Sequence, residues 1–394
     1  LWVITSLHMS HFKSTKKPRF VLAVLFLVGL GIYLAIPTYV INAIQHGNPG
    51  LNDYHIFENR KVRAGKPDPW KLSQDLNKVN LLDSLQEQLE HFKPIAFLVI
   101  KNGEIIYEKY WEDYSENSLS NSFSVAKSIV GLLVGIAIDE GHIDSLDQSV
   151  GDFLPEFASE DMSKITLRDL LTMSSGTNWD EAYSNLNSIT TQAYYGDNLR
   201  ALVTNLQLVE TPGVQFNYQS GNTEILAMVL NRATGKTLSE YASEKLWRKI
   251  GATHDAWWTL DKKDGIEKAF CCFNTNARDF ARIGQLILNK GKWNQDQVVS
   301  EAYIEETIQP AHYLIDEKSQ PVDFYGLHWW VIHDKNRQIP YMRGILGQYI
   351  FAIPDEQAVV VRLGHERSSV YRGEHTEDIY LYLNIADHIL SQYN

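Results

Sequence analysis

Cysteine is nearly absent from this chain of 394 residues: there are two, side by side at Cys271 and Cys272. Two adjacent thiols cannot staple distant segments together, so a disulfide scaffold is excluded and the fold must rest on its core. Metal-ligand spacing is missing too. No C-x-x-C, H-E-x-x-H or clustered His/Asp pattern occurs, so neither a metal nor another cofactor is expected. Positive charge is in short supply. Lys and Arg number 36 against 48 Asp and Glu, a net charge of −12. Four of the cations, Lys13, Lys16, Lys17 and Arg19, sit in residues 1–19 with no acid among them. The remaining body is therefore strongly acidic, which argues against nucleic acid as a partner. The chain has no G-x-S-x-G elbow, which argues against an α/β-hydrolase. Internal repeats and low-complexity segments are not visible.

The first positive signal is an uncharged stretch from Phe20 to Ile44, almost wholly apolar as far as Ile36 and then interrupted by Pro37 and Thr38. About 20 apolar residues span a bilayer. Signal-peptide cores run about 7–15 residues and end at small residues, and no clean A-x-A site follows here. The expectation is a basic cytoplasmic tail at 1–19 and a transmembrane signal anchor at 20–44. That places the protein in the inner (cytoplasmic) membrane, single-pass, with its body on the periplasmic or extracytoplasmic side. A cleaved signal and a buried core helix are the alternatives. Met9 is the expected start, since residues 1–8 add nothing to this pattern.

Residues 45–78 mix Gly, Pro, Asn and charge and read as an irregular linker. The domain proper is expected at 79–394. Leu81–Phe92 has helical spacing, and Ile95–Trp111 reads as a hairpin turning at Asn102-Gly103. An apolar helix runs from Ile129 to Ile138 and stops near Gly141. From about 142 to 310 the signals are mainly helical, with helices at Thr223–Ala233, Ala277–Leu288 and Ala302–Ile308. Short β-type runs return at Tyr325–His333, Gln348–Ile353 and Ala358–Leu363, followed by an amphipathic helix at Glu377–Tyr393. The order strands, helices, strands, helix implies an α+β fold. Its antiparallel sheet is built from both ends of the body, with flanking helices and an inserted helical region.

The chemistry centres on Ser124-Val125-Ala126-Lys127, at the start of the apolar helix. Positions i and i+3 share a helical face. A serine hydroxyl becomes a useful nucleophile only when a base takes its proton. Lysine can be that base when burial brings it below its ordinary value of about 10.4, and the apolar run after Lys127 is suited to do so. Alone, S-x-x-K is a short pattern that also fits a helix cap and a snorkelling lysine; it recurs without meaning at Ser14–Lys17. A second polar cluster, Phe216-Asn217-Tyr218-Gln219-Ser220-Gly221-Asn222, follows the Pro212-Gly213 turn and precedes another apolar helix. Its Tyr218 is either a proton relay or a packing residue.

With Ser124-Val125-Ala126-Lys127 as a first motif and Tyr218-Gln219-Ser220 as a Y-x-N/S second, the chain resembles the serine β-lactamase and penicillin-recognising superfamily. The likeness is to its class C-like branch, which includes serine esterases and 6-aminohexanoate-dimer hydrolases. The blocks Gly141–Asp147, Ile165–Gly176 and Ala277–Gly284 are similar as well. The resemblance covers about Phe57 to Leu390 and implies a β-lactamase-like fold. It implies acyl transfer, with Ser124 as nucleophile, Lys127 as base and Tyr218 passing the proton on. Backbone N–H groups of Ser124 and Ile345 would hold the oxyanion. The family's third motif, K/H-T/S-G, aligns with Met342-Arg343-Gly344 and keeps only the glycine. Losing that cation moves the expected substrate from penicillins and D-alanyl peptides towards small esters and amides. A β-lactamase or D-alanyl-peptide hydrolase, and a non-catalytic penicillin-binding-type sensor, are the other readings. Ser220, Trp179, Tyr195, Arg343, Gly344 and His365 are further candidates for substrate contact; for Trp179, Tyr195 and His365 a packing or surface place is the favoured reading.

Overall fold

The segment Ile95–Ile100 has no polar residue to mark an outer face, and it lies inside a sheet covered on both sides. The computed structural model describes residues 21–22, 24–27, 36–183 and 185–393. In it, strands Pro94–Lys101 and Glu104–Tyr110 form the expected hairpin. Asn102 and Gly103 at its turn take φ of 51° and 79°, the left-handed pair that such a turn requires. The first strand pairs antiparallel with Ala358–Gly364. From there the sheet continues through Gln348–Ile353 and Arg337–Gly344 to Trp330–Asp334. At the opposite edge Lys71–Leu72 joins Glu104–Tyr110 in parallel. The two ends of the body thus share one seven-stranded sheet.

Alternation along the central strand feeds two cores. Ala96, Leu98 and Ile100 face one and Phe97 and Val99 the other. The helices Asp83–His91 and Asp378–Gln392 close the second core, with Leu85, Leu89, Tyr382 and Ile389 buried. Ala277–Leu288 and Val125–Asp139 close the first. The latter helix is buried on all sides from Val125 to Ala137, which is why its sequence shows a continuous apolar run instead of a stripe.

Three elements differ from expectation. The inserted region 142–310 is mainly helical, but it also carries strands Ala256–Thr259 and Phe273–Thr275. These make a second, four-stranded sheet with Asn59–Val62 and Ser120–Asn121. Strands this short carry too few positions for a period to show. The stretch 45–78, expected as an irregular linker, supplies one strand to each sheet. Finally, the strand expected at Tyr325–His333 begins only at Trp330, and its partner Arg337–Gly344 had no β-type signal because Pro340 and charged residues interrupt it. Pro340 is nevertheless in register opposite Val331.

The basic tail at 1–19, and most of the anchor expected at 20–44, lie outside the described residues. Among the described residues no helix is long and apolar enough to cross a membrane. The end of that expected anchor needs correction. Thr38–His46 is a nine-residue helix docked on the body. Ala43 is buried, and Asn42 Nδ2 donates to the Tyr195 carbonyl at 2.9 Å. Those residues cannot also lie in lipid.

Candidate active site

The second sheet, invisible in the sequence, places Ser124. Strand Ser120–Asn121 pairs with Asn274 and Thr275. One residue on, Ser122 N donates to the Phe273 carbonyl at 3.0 Å and Phe273 N donates back to Ser122 Oγ at 3.1 Å. The chain then turns sharply through Phe123, whose φ is +45°, an uncommon value for a residue with a side chain. Its N–H is held by Asn121 Oδ1 at 2.9 Å. The helix Val125–Asp139 starts immediately afterwards with Ser124 at its cap. Ser124 is half-buried, with Lys127 fully enclosed one turn along.

Lys127 Nζ donates to Ser124 Oγ at 2.9 Å and to the Phe270 carbonyl at 2.9 Å. An ammonium or amine anchored at two points has little freedom to leave the serine. Tyr218 lies over it, with Nζ 5.1 Å from the ring centroid. The tyrosine is wedged against Trp330 and Tyr325. The structure therefore gathers Ser124, Lys127 and Tyr218 around one point. Behind them His328 ties three elements together. Ser128 Oγ donates to its carbonyl at 2.6 Å, and its Nδ1 lies 2.9 Å from the Leu171 carbonyl. Its Nε2 lies 2.9 Å from Thr223 Oγ1. The Leu171 carbonyl can only accept, so Nδ1 carries the proton. Burial pushes this imidazole down to about 3.

The turn carrying Ile345 is pinned from below. Gln348 Nε2 donates to the Ile345 carbonyl at 3.1 Å and to the Gly364 carbonyl at 2.8 Å. Arg362, fully buried, donates from Nη1 to the carbonyls of Leu346 and Gly347 at 3.1 and 2.7 Å. Gly347 has φ +88°, and a Cβ there would sit 2.0 Å from Arg362 Nη1. Gly344 is constrained by space: a Cβ would meet the Ser122 carbonyl at 2.4 Å. These contacts explain the spacing Gly344-x-x-Gly347-Gln348 physically.

Ser124 and Ile345 both border two cavities. One, of about 180 Å³, is mainly apolar and is walled by Ala43, Pro49, Phe123, Tyr195, Phe270 and Cys271. The other, of about 360 Å³, is more polar and includes Tyr218, Glu181, Glu317, Arg343, Gly344 and Arg367. Tyr195 belongs to the first, and its hydroxyl donates to the Gly47 carbonyl at 2.6 Å. Ser220 also borders the first, with its hydroxyl donating to Glu181 Oε1 at 2.6 Å. Arg343 stacks on Trp330 at 3.4 Å and donates to the Glu374 carbonyl at 2.8 Å.

Two candidates fall elsewhere. Trp179 borders neither cavity. It is buried against Gly221 and Phe270 and donates from Nε1 to Glu181 Oε2 at 2.7 Å. His365 packs edge-on to Tyr114 and lies 3.4 Å from Glu112, away from both cavities. The sequence reading missed Glu181. That one carboxylate accepts from Trp179, Tyr183, and the N–H and hydroxyl of Ser220, locking the second motif in place. It also missed Phe270, which acts through a carbonyl that every residue has, and Cys271. Cys271 and Cys272 are joined to each other. Behind the apolar cavity Lys268 is wholly buried. It donates to the Tyr194 carbonyl and lies 3.5 Å above the Phe57 ring, and burial brings its ammonium down to about 7.

The family model described as Beta-lactamase matches residues 82–383. A 6-aminohexanoate-dimer hydrolase of Paenarthrobacter ureafaciens is 30% identical over 298 residues, covering 72% of this chain and 75% of that protein. A Bacillus anthracis structure provisionally described as a 6-aminohexanoate-dimer hydrolase superposes with a TM-score of 0.75 at 24% identity. The match covers 87% of this chain and 94% of that one. A family VIII carboxylesterase structure gives 0.60 at 17% identity, covering 82% and 99%. At these identities the two structures speak for the fold alone.

Proposed function

The chain belongs to the Beta-lactamase family and is a hydrolase of that fold, and from this premise we propose that it cleaves small esters or amides through an acyl-enzyme on Ser124. The observation that carries the reading is the 2.9 Å bond between Lys127 Nζ and Ser124 Oγ, with the same nitrogen fixed by the Phe270 carbonyl. Lys127 takes the hydroxyl proton as Oγ attacks the substrate carbonyl. The N–H groups of Ser124 and Ile345 receive the oxyanion. Tyr218 passes the proton to the departing oxygen or nitrogen. Water, activated by the same groups, then frees the acid and restores Ser124.

The two cavities divide the substrate. Tyr218 borders only the polar one, so the leaving group belongs there and the acyl group in the apolar one. The favoured substrate class is an apolar acyl group on a polar alcohol or amine. A penicillin is disfavoured because Met342-Arg343-Gly344 lacks the third motif's Lys or His, and Arg343 there stacks on Trp330 and donates to the Glu374 carbonyl. The N-terminal run supports a location at the inner membrane, body outside, with the anchor shortened to 20–36. Its 17 residues are at the lower limit for a span.

The test is labelling of the full chain with a fluorophosphonate and a fluorescent penicillin, beside p-nitrophenyl ester turnover. Ester hydrolysis lost in Ser124→Ala is the expected result. A wild-type protein that neither labels at Ser124 nor turns over esters would leave the non-catalytic sensor instead, and rapid penicillin turnover would reverse the substrate ranking. For location, a reporter fused after Asn394 is expected to be active outside the cytoplasm, and activity inside would end the anchor reading.

A further inference from the structure

Cys271 and Cys272 are bonded to each other, and both are buried, with 4% and 1% of their surface exposed. Their Cα atoms are 3.8 Å apart, the separation of any two neighbours across a trans peptide. The bridge therefore closes a ring of eight atoms around a single peptide unit, and rotation about that unit is restricted by covalent connection. Nothing about this ring can strengthen the fold by joining distant parts, since the loop it closes contains no other residue.

Its position suggests another use. On the N-terminal side the ring is bonded directly to Phe270, whose carbonyl is the second anchor of Lys127 at 2.9 Å. On the C-terminal side it is bonded to Phe273, whose backbone exchanges hydrogen bonds with Ser122, two residues before the nucleophile. The carbonyls of the two cysteines are fixed as well. Cys271 O accepts from Trp258 Nε1 at 3.1 Å, and Cys272 O accepts from Thr259 N at 3.1 Å and Asn274 Nδ2 at 2.8 Å. Cys272 takes φ +67°, a left-handed conformation that a free cysteine rarely adopts. Cys271 also borders the apolar cavity beside Phe123, Ser124 and Ile345, so one face of the ring can be reached from the substrate side.

We infer that the Cys271–Cys272 ring is a positioning element of the site, holding the Phe270 carbonyl on Lys127 and flooring the acyl cavity, and that its opening by a dithiol slows acyl transfer. The inference rests on the serine-hydrolase reading above. In the opening step a dithiol attacks one sulfur and the S–S bond breaks. The two cysteines gain two electrons and two protons, and the reductant closes to its own disulfide. The freed peptide can then relax from its left-handed turn, carrying the Phe270 carbonyl off Lys127.

The test compares the oxidised and dithiothreitol-reduced full chain, with free thiols counted, on p-nitrophenyl esters of short and long acyl chains. Reduction is expected to lower kcat about tenfold at every chain length, a fraction of what a positioned base supplies. KM should rise only for the longest acyl groups, and reoxidation should restore both. The variant carrying Cys271→Ser and Cys272→Ser should match the reduced enzyme and ignore the dithiol. Where either form resists preparation, by failing to reduce or to fold, the other decides. Two free thiols with kcat and KM unchanged, or a double variant equal to the oxidised enzyme, would overturn the inference alone. An oxidised enzyme that neither labels at Ser124 nor turns over esters would overturn the serine reading and the inference with it.

Discussion

His328 offers a quantitative test of how the site is held together. The imidazole is 1% exposed, and burial pushes it down to about 3 from an ordinary value near 6.5. In the unfolded chain it takes up a proton as the pH falls through 6.5, whereas in the folded chain it stays neutral until about 3. The unfolded state thus binds the extra proton throughout that window, and stability must fall on acidification between 6.5 and 3. One pKa unit corresponds to about 1.4 kcal/mol, so His328 alone accounts for about 2 kcal/mol between pH 6 and 4.5. His375, also buried and pushed down to about 3 with Arg343 nearby, adds to the wild-type slope, so a variant is needed to isolate His328. Asparagine is the choice. It keeps a donor for the Leu171 carbonyl, and it tolerates the φ of +60° at this position. Urea unfolding of wild type and His328→Asn at pH 4.5, 5, 5.5 and 6 measures the difference. The variant is expected to be less stable at pH 6, through loss of the Thr223 bond, but to lose about 2 kcal/mol less across the range. Parallel curves would refute the reasoning and show that His328 is protonated or solvated in the folded protein.

Three other substitutions probe the turn and the second motif. Gly344→Ala puts a methyl 2.4 Å from the Ser122 carbonyl. It should cost about 1–3 kcal/mol in thermal or urea unfolding and reduce ester kcat more than KM; unchanged kinetics would contradict the close approach. Gln348→Ala removes the bonds to Ile345 and Gly364, and a fall in kcat of about tenfold or more is expected in steady-state assays if Ile345 presents an oxyanion donor. Glu181→Gln retains shape but weakens the charge-assisted bonds to Ser220 and Trp179. Ester assays should show KM for long acyl groups rising several-fold, with fluorophosphonate labelling of Ser124 preserved.

How far the sequence revealed the site depended on whether a function resides in a side chain. Ser124, Lys127 and Tyr218 were legible as candidates because the nucleophile, base and hydroxyl relay proposed for them each require a particular letter, and two motifs in order reinforce one another. The central hairpin was legible because Asn102-Gly103 has few other uses between apolar runs. The second sheet was not, since strands of two to four residues leave no period. Phe270 was not, because its contribution is a carbonyl. Trp179 misled for the converse reason. An aromatic beside a motif can face the cleft or support the residue that does, and here Glu181 stands between it and Ser220. The adjacent cysteines were correctly excluded as a scaffold, but their bond to each other has no counterpart in spacing rules written for distant pairs.

Ala43 of the helix Thr38–His46 and the segment Gly47–Pro49 wall part of the apolar cavity, and the family match begins at residue 82. If the apolar cavity holds the acyl group as proposed, part of its wall therefore lies outside the stretch that the family model matches. A relative could keep every catalytic group and acquire a new acyl preference by exchanging a dozen residues ahead of the shared body. An engineer could do the same by grafting alternative leader segments onto an unaltered hydrolytic core.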